Sequence, residues 1–103
     1  MTKWSDYAII AVQFRKEKRH IDKVKIREDN GDKLVNEQIV SRDNIVNTIE
    51  RGIKFITVYN KQNQWTKGDD IKIVLINNTK FIRTDGNRIE EDNLGELPEM
   101  GLS

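Results

Sequence analysis

His20 is the one histidine among 103 residues. Imidazole is the side chain that ordinarily gains and loses a proton near neutrality, so acid–base chemistry in this chain would begin there. Such a base needs a carboxylate to orient it. Asp22, two residues on and on the same face of a strand, is the nearest in sequence, and Arg83 is a second candidate neighbour. No Ser-His-Asp order, paired-carboxylate signature, glycine-rich phosphate loop or two-histidine metal spacing accompanies them. A histidine that opens a strand beside a basic loop explains the same residues, so no catalytic residue is assigned and the chain is read as non-enzymatic.

Two further groupings carry binding chemistry. Arg15, Lys16, Lys18 and Arg19 form a basic turn, and Lys61, Trp65 and Lys67 lie together on a later polar stretch. Cations beside an indole are what a single-stranded nucleic acid needs, phosphates meeting the charges and a base stacking on the ring. The plainer reading is a solvated turn and a tryptophan folded back on the core. The other grouping is Asp92-Asn93-Leu94-Gly95-Glu96-Leu97-Pro98. Asp92 and Asn93 are candidate ligands for a cation or small molecule, although short polar side chains beside a glycine more often shape a turn. Leu94 and Leu97 stand three apart in polar surroundings, and Pro98 fixes its own φ behind them. Their need for burial marks a docking element.

Charge sharpens that expectation. Residues 84–103 hold six acids and one base, a net of −5, whereas the preceding residues hold seventeen bases and eleven acids, a net of +6. The overall +1 conceals both. Such a split suggests an acidic segment, 85–103, lying on its own body, or a basic surface awaiting an anionic partner.

With 36% hydrophobic residues the chain can build one small core, so a single domain over 1–103 is expected. There is no cysteine, which excludes disulfides, cysteine-ligated zinc, thiol nucleophiles and iron–sulfur clusters; no cofactor or metal signature is present. The first residues lack the apolar centre of a signal peptide, and no apolar run is long enough to span a bilayer, so a cytoplasmic setting without membrane association is the expectation.

The elements that would position these residues can be read from periodicity. Tyr7–Phe14 is apolar on both faces, with Ile10, Val12 and Phe14 on one side and Tyr7, Ile9 and Ala11 on the other, as a central strand requires. His20–Glu28 alternates, Val24 and Ile26 inward, and Asn30-Gly31 offers a hairpin turn to a weaker third strand, Leu34–Val40, at an edge. Ser41 reads as an N-cap and Asp43 favours the helix dipole. Ile45, Val46 and Ile49 make one apolar face of a helix over about 42–51, and Gly52 stops it. Phe55–Tyr59 is a fourth strand, Asn60–Gly68 a polar loop, and Ile71–Ile76 with Lys80–Thr84 a last hairpin around Asn77-Asn78. The order βββαβββ predicts an α+β fold, one short helix packed on a curved, mainly antiparallel sheet of five to six strands, with an OB-like barrel as the alternative.

Several of these positions together resemble a family of short prokaryotic proteins, the domain of unknown function numbered three-eight-nine-two. The likeness rests on Ile9 with Val12, His20-Ile21 with Val24, Arg42 with Val46, Ile49 and Gly52, Phe55 with Thr57, Ile82-Arg83-Thr84, and above all Asp92-Asn93-Leu94-x-x-Leu97-Pro98. It implies a unit reaching from about Tyr7 to Pro98 and no assigned activity. The basic first turn and the Trp65 stretch depart from the family pattern, so roles placed there belong to this chain. The expectation is therefore a small non-catalytic interaction domain that binds a protein partner, with single-stranded nucleic-acid binding as the alternative.

Overall fold

A strand that is apolar on both sides must be covered on both sides, and Tyr7–Phe14 lies at the centre of the main sheet. The computed structural model describes residues 4–15, 20–85, 91–95 and 97–100. Their elements run β1 (Tyr7–Phe14), β2 (Ile21–Asp29), β3 (Leu34–Ser41), α1 (Arg42–Glu50), β4 (Phe55–Lys61), β5 (Gln64–Asp70), β6 (Lys72–Ile76) and β7 (Thr79–Arg83). The fold is α+β with one helix and mainly antiparallel strands, as expected among the described residues. Its strands differ from the expectation in number and grouping: a five-stranded sheet ordered β3-β2-β1-β4-β5, and a separate pair, β6-β7. Because β3 and β5 remain as edges and the last hairpin leaves the sheet, no barrel closes, which excludes the OB-like alternative.

The extra strand is β5. Asn60–Gly68, expected as a loop, is largely hairpin: Gln62 and Asn63 turn the chain with φ of 51° and 65°. Two successive left-handed residues give the turn whose twist matches paired strands. Asn77 and Asn78 repeat the device between β6 and β7, with φ of 49° and 66°. Asparagine tolerates that region and glutamine does so less readily, so only the second turn announces itself. β5 is polar because it is an edge.

A second correction concerns β1. Its pairing with β2 shifts register between Ile9 and Ala11, and this bulge places Tyr7, Ile9, Val12 and Phe14 with one core cluster while Ala8 and Ile10 join the other. Strict alternation had put Ile10 with Val12. An extra residue at a bulge moves everything beyond it to the opposite face.

The helix forms as its caps dictate. Ser41 Oγ accepts from the Asn44 amide at 3.1 Å, Asp43 sits in the first turn, and Gly52 adopts a φ of +94° just past the end. Ile45 and Val46 are buried against Ile9, Val24 and Ile26, with Val40 and Ile49 half-buried around them. The β6-β7 pair contributes Ile73 and Ile82 to the same cluster. All of this covers one face of the main sheet. The other face holds Ala8, Ile10, Leu34, Ile56 and Val58, over which Trp4 and Trp65 fold among the described residues.

β1 and β4 are parallel neighbours, but they pair only from Tyr7↔Phe55 to Ile9↔Thr57, where Tyr7 stacks on Phe55 at 5.2 Å. Beyond that point β1 turns away to β2 and β4 to β5, in opposite directions. Connections that leave to opposite sides open a notch at the carboxyl ends of adjacent parallel strands. The C-terminal segment enters it: Val12 N–H donates to the Pro98 carbonyl at 3.0 Å and Met100 N–H to the Val12 carbonyl at 2.7 Å.

Candidate functional site

The open face of the sheet carries a groove of about 830 Å³ that runs from β3 across β2 and β1 to the β4-β5 hairpin and ends at the C-terminal segment. Its floor is Ile10 and Ala11, its aromatic wall Tyr59 and Trp65, and Gly95 and Pro98 close one end. Lys25, Arg27 and Lys61 stand on its rim with Glu37 as the one acid among the described residues. The cations are held in place. Arg27 Nε and Nη2 donate to Glu37 Oε1 at 3.1 and 2.9 Å, and its guanidinium lies 5.1 Å from the centre of the Trp65 ring. Lys25 Nζ is 3.9 Å from Glu37, and Lys61 Nζ is 5.9 Å from the Tyr59 ring centre. An apolar floor with a few fixed polar groups is the general form of a ligand site.

The segment that closes the groove is clasped from within. Asp92 has no exposed side-chain surface. Its Oδ2 accepts from Ile21 N–H at 2.7 Å and Arg42 Nε at 2.7 Å, and its Oδ1 from Ile82 N–H at 2.9 Å and Arg42 Nη2 at 3.1 Å. One carboxylate thus ties β2, α1 and β7 together. Arg42 Nη2 also donates to the Lys80 carbonyl. Next along, Asn93 N–H donates to the Ile82 carbonyl and Asn93 Oδ1 accepts from Gly95 N–H at 2.8 Å, a local turn that aims the chain toward the notch. Leu94 and Leu97 are buried in the core cluster beside Ile9 and Ile82. Gly95 has φ +77°, and a Cβ there would meet Tyr59 Oη at 2.6 Å, so the segment and the groove wall are in direct contact.

The family model described as Protein of unknown function (DUF3892) matches residues 8–98. The chain belongs to this family. No curated protein and no solved structure matches it significantly. The match runs from Ala8 on β1 to Pro98, the residue that bonds back to β1, so the DUF3892 unit includes both the clasp and the groove.

The residues singled out from sequence are distributed over these two regions. His20 stacks flat on Phe81, ring centres 5.2 Å apart, and the carboxylate that approaches it is Asp92 rather than Asp22, at 3.7 Å from Nδ1. That separation is beyond a hydrogen bond, and Asp92 is already occupied by its four donors. Asp22 is half-buried on β2. Arg83 is buried and engaged elsewhere: Nε and Nη2 donate to Asp85 at 2.7 and 3.1 Å and Nη1 to the Glu91 carbonyl at 2.7 Å. The hydrogen bond that Arg83 donates to Asp85 raises its already high pKa against the opposing effect of burial, so the guanidinium stays charged. Lys61 and Trp65 line the groove, Lys67 is exposed along β5, and Arg15 is exposed at the end of β1. Lys16, Lys18 and Arg19 lie outside the described residues.

Sequence reasoning assigned no site role to Arg42, which entered only through the family likeness, nor to Asp29, Lys25, Arg27 and Glu37. Arg42 had a readable signal, since it stands three and four residues before Ile45 and Val46 on the buried helix face, where a charge requires a partner. Asp29 accepts from the Trp4 amide at 2.7 Å and the Gly31 amide at 2.9 Å, which pins Trp4 under the open face. Lys25 and Arg27 had none, because their common wall with Trp65 exists only once β5 is a strand.

Proposed function

We propose that this chain is a small, non-catalytic, cytoplasmic binding domain that receives a segment of a protein partner on the open face of its sheet. The observation that carries the reading is the groove: a mixed apolar and charged concavity on the face that the helix leaves uncovered, with its cations already oriented. Preoriented side chains lose little freedom when a ligand arrives. The absence of an enzymatic role is supported by His20, whose ring is packed against Phe81 and whose nearest carboxylate is committed to other donors. Cations beside aromatic rings also suit single-stranded nucleic acid, but Glu37 interrupts the basic rim, and Trp65 and Tyr59 already hold Arg27 and Lys61 where a base would stack.

The test is site-specific photo-crosslinking in nuclease-treated cells, with the reactive residue at Trp65 or Ile39, against a control at Asn47 on the helix. Ile39 is 59% exposed on β3 opposite Lys25, on the same face. The expected result is one protein captured from the groove positions alone, whose purified form then binds the domain directly. Equal capture from Asn47, or capture that disappears with nuclease, would refute the proposal.

A further inference from the structure

We infer that the groove selects an acidic, extended peptide segment, and that Glu37 occupies the anion position in its absence; this rests on the protein-binding reading above. Among the described residues the rim carries three cations, Lys25, Arg27 and Lys61, against one acid, an excess of two positive charges (3 − 1). Lys25 and Arg27 both reach that one carboxylate, at 3.9 and 2.9 Å. Glu37 is itself 41% exposed and sits on an edge strand, just after Asn36, whose φ of 55° marks the bulge that shifts β3 against β2. It is a carboxylate on a bulged, exposed edge rather than part of the core. A guanidinium with one face on an indole and two N–H groups aligned on a carboxylate is already set to receive another carboxylate in the same place.

The shape of the groove argues for a peptide rather than a nucleotide strand. Lys25 and Arg27 converge on a single acceptor, with Lys61 apart over Tyr59, instead of tracking a phosphate backbone. Beside them Ile10 and Ala11 offer a shallow apolar floor suited to an aliphatic side chain. An extended chain places side chains alternately, so an acid and its apolar second neighbour can lie on the same face, one at the rim and one on the floor.

Glu37 then competes with the ligand. The carboxylate it presents to Lys25 and Arg27 must yield when the ligand's carboxylate arrives, so removing its charge should strengthen binding. The experiment uses a fluorescent extended hexapeptide in which glutamate and leucine are second neighbours with serine between them, its counterpart with lysine in place of glutamate, and a short oligothymidylate, each titrated into the full chain and followed by anisotropy and by amide shifts. The acidic peptide is expected to bind, with shifts at Ile10, Ala11 and Trp65. Glu37→Gln should tighten it by about fivefold, the scale of one solvent-accessible ion pair. Lys25→Gln and Arg27→Gln should each weaken it by a similar factor, and added salt should weaken it further. Thermal melts check that each variant is folded, and Lys25→Gln serves if Arg27→Gln is not. No binding of the acidic peptide, or weaker binding to Glu37→Gln, overturns the inference. If the lysine peptide binds the groove equally, acid selection fails while protein binding stands. If only oligothymidylate binds there, both readings fail.

Discussion

Replacing Asp92 by asparagine changes almost no volume, yet it should be among the most damaging single substitutions in this protein. Each carboxylate oxygen accepts from one backbone amide and one arm of Arg42, and all four donors lie between 2.7 and 3.1 Å. Asparagine keeps one acceptor oxygen and turns an NH₂ group toward the remaining two donors, so one amide and one guanidinium arm lose their partner. The Arg42 side chain is 10% exposed, so its charge is left with little water and only the solvent-screened Asp43 carboxylate, 3.8 Å away and 79% exposed, as a counter-ion. Breaking a buried pair in this way costs about 3–5 kcal/mol. A domain of this length has about 5–15 kcal/mol of stability in all, and each kcal/mol moves the melting temperature by roughly 4–8 °C. Asp92→Asn should therefore lower the melting temperature by on the order of 20 °C, read by calorimetry and by urea unfolding. Combining Asp92→Leu with Arg42→Met removes both charges and should recover part of the loss, but not all, because the Ile21 and Ile82 amides still lack an acceptor at about 1–3 kcal/mol each. A melting temperature within about 5 °C of the parent for Asp92→Asn would refute the clasp.

Three smaller substitutions probe the same region. Leu97→Ala should cost about 2–5 kcal/mol in urea unfolding, the range for a buried leucine, and a loss below about 1 kcal/mol would mean that this side chain is not packed. Gly95→Ala meets both a positive φ and Tyr59 Oη, so it should destabilise by more than the ~1 kcal/mol of the backbone conformation alone, and Tyr59→Phe should relieve only the steric part. His20→Ala removes the stack on Phe81 and should cost about 1 kcal/mol by thermal melt while leaving groove binding unchanged; loss of binding would return His20 to the site.

How far the fold could be read from residues alone depended on whether the signal was local. Ser41, Asp43, the Ile45-Val46-Ile49 stripe and Gly52 each act within one helical turn of their neighbours, and α1 falls at Arg42–Glu50 against an expected 42–51. Asn77-Asn78 carries its own turn chemistry, and the hairpin is where it was expected. Gln62-Asn63 does not, and with it β5 was missed. The β1 bulge leaves no local mark either, since Tyr7–Phe14 is apolar on both faces and either phase of alternation fits. In the site, Leu94 and Leu97 were visible as apolar residues in a polar run. The partners of Asp92 stand 71, 50 and 10 residues away, and no spacing rule connects such distances. His20 was paired with the carboxylate nearest in sequence, whereas β2 and the C-terminal segment bring it nearest to Asp92.

The charge split raises a last point, because an acidic segment beside a basic body suggests that surface attraction holds the two together. The contacts argue for a different agent. Among the described residues, Asp92, the acid that reaches elements far from it in sequence, is buried, and Asp85 meets only Arg83 two residues before it; the other ties are the Glu91 carbonyl to Arg83, Leu94, Leu97 and main-chain bonds from Asn93 to Ile82, from Thr84 to Asn93, and between Val12 and residues 98 and 100. Glu99, by contrast, is exposed. Salt at about 1 M shortens the screening length to about 3 Å, which removes attraction between exposed charges but hardly touches a dry pair or a buried leucine. Hydrogen exchange at the Asn93 and Met100 amides, both bonded across this contact, should therefore slow or quicken by no more than about threefold between low salt and ~1 M, a change of under about 0.7 kcal/mol. Acceleration by a hundredfold would mean that long-range charge, and not the buried clasp, keeps the segment in the notch.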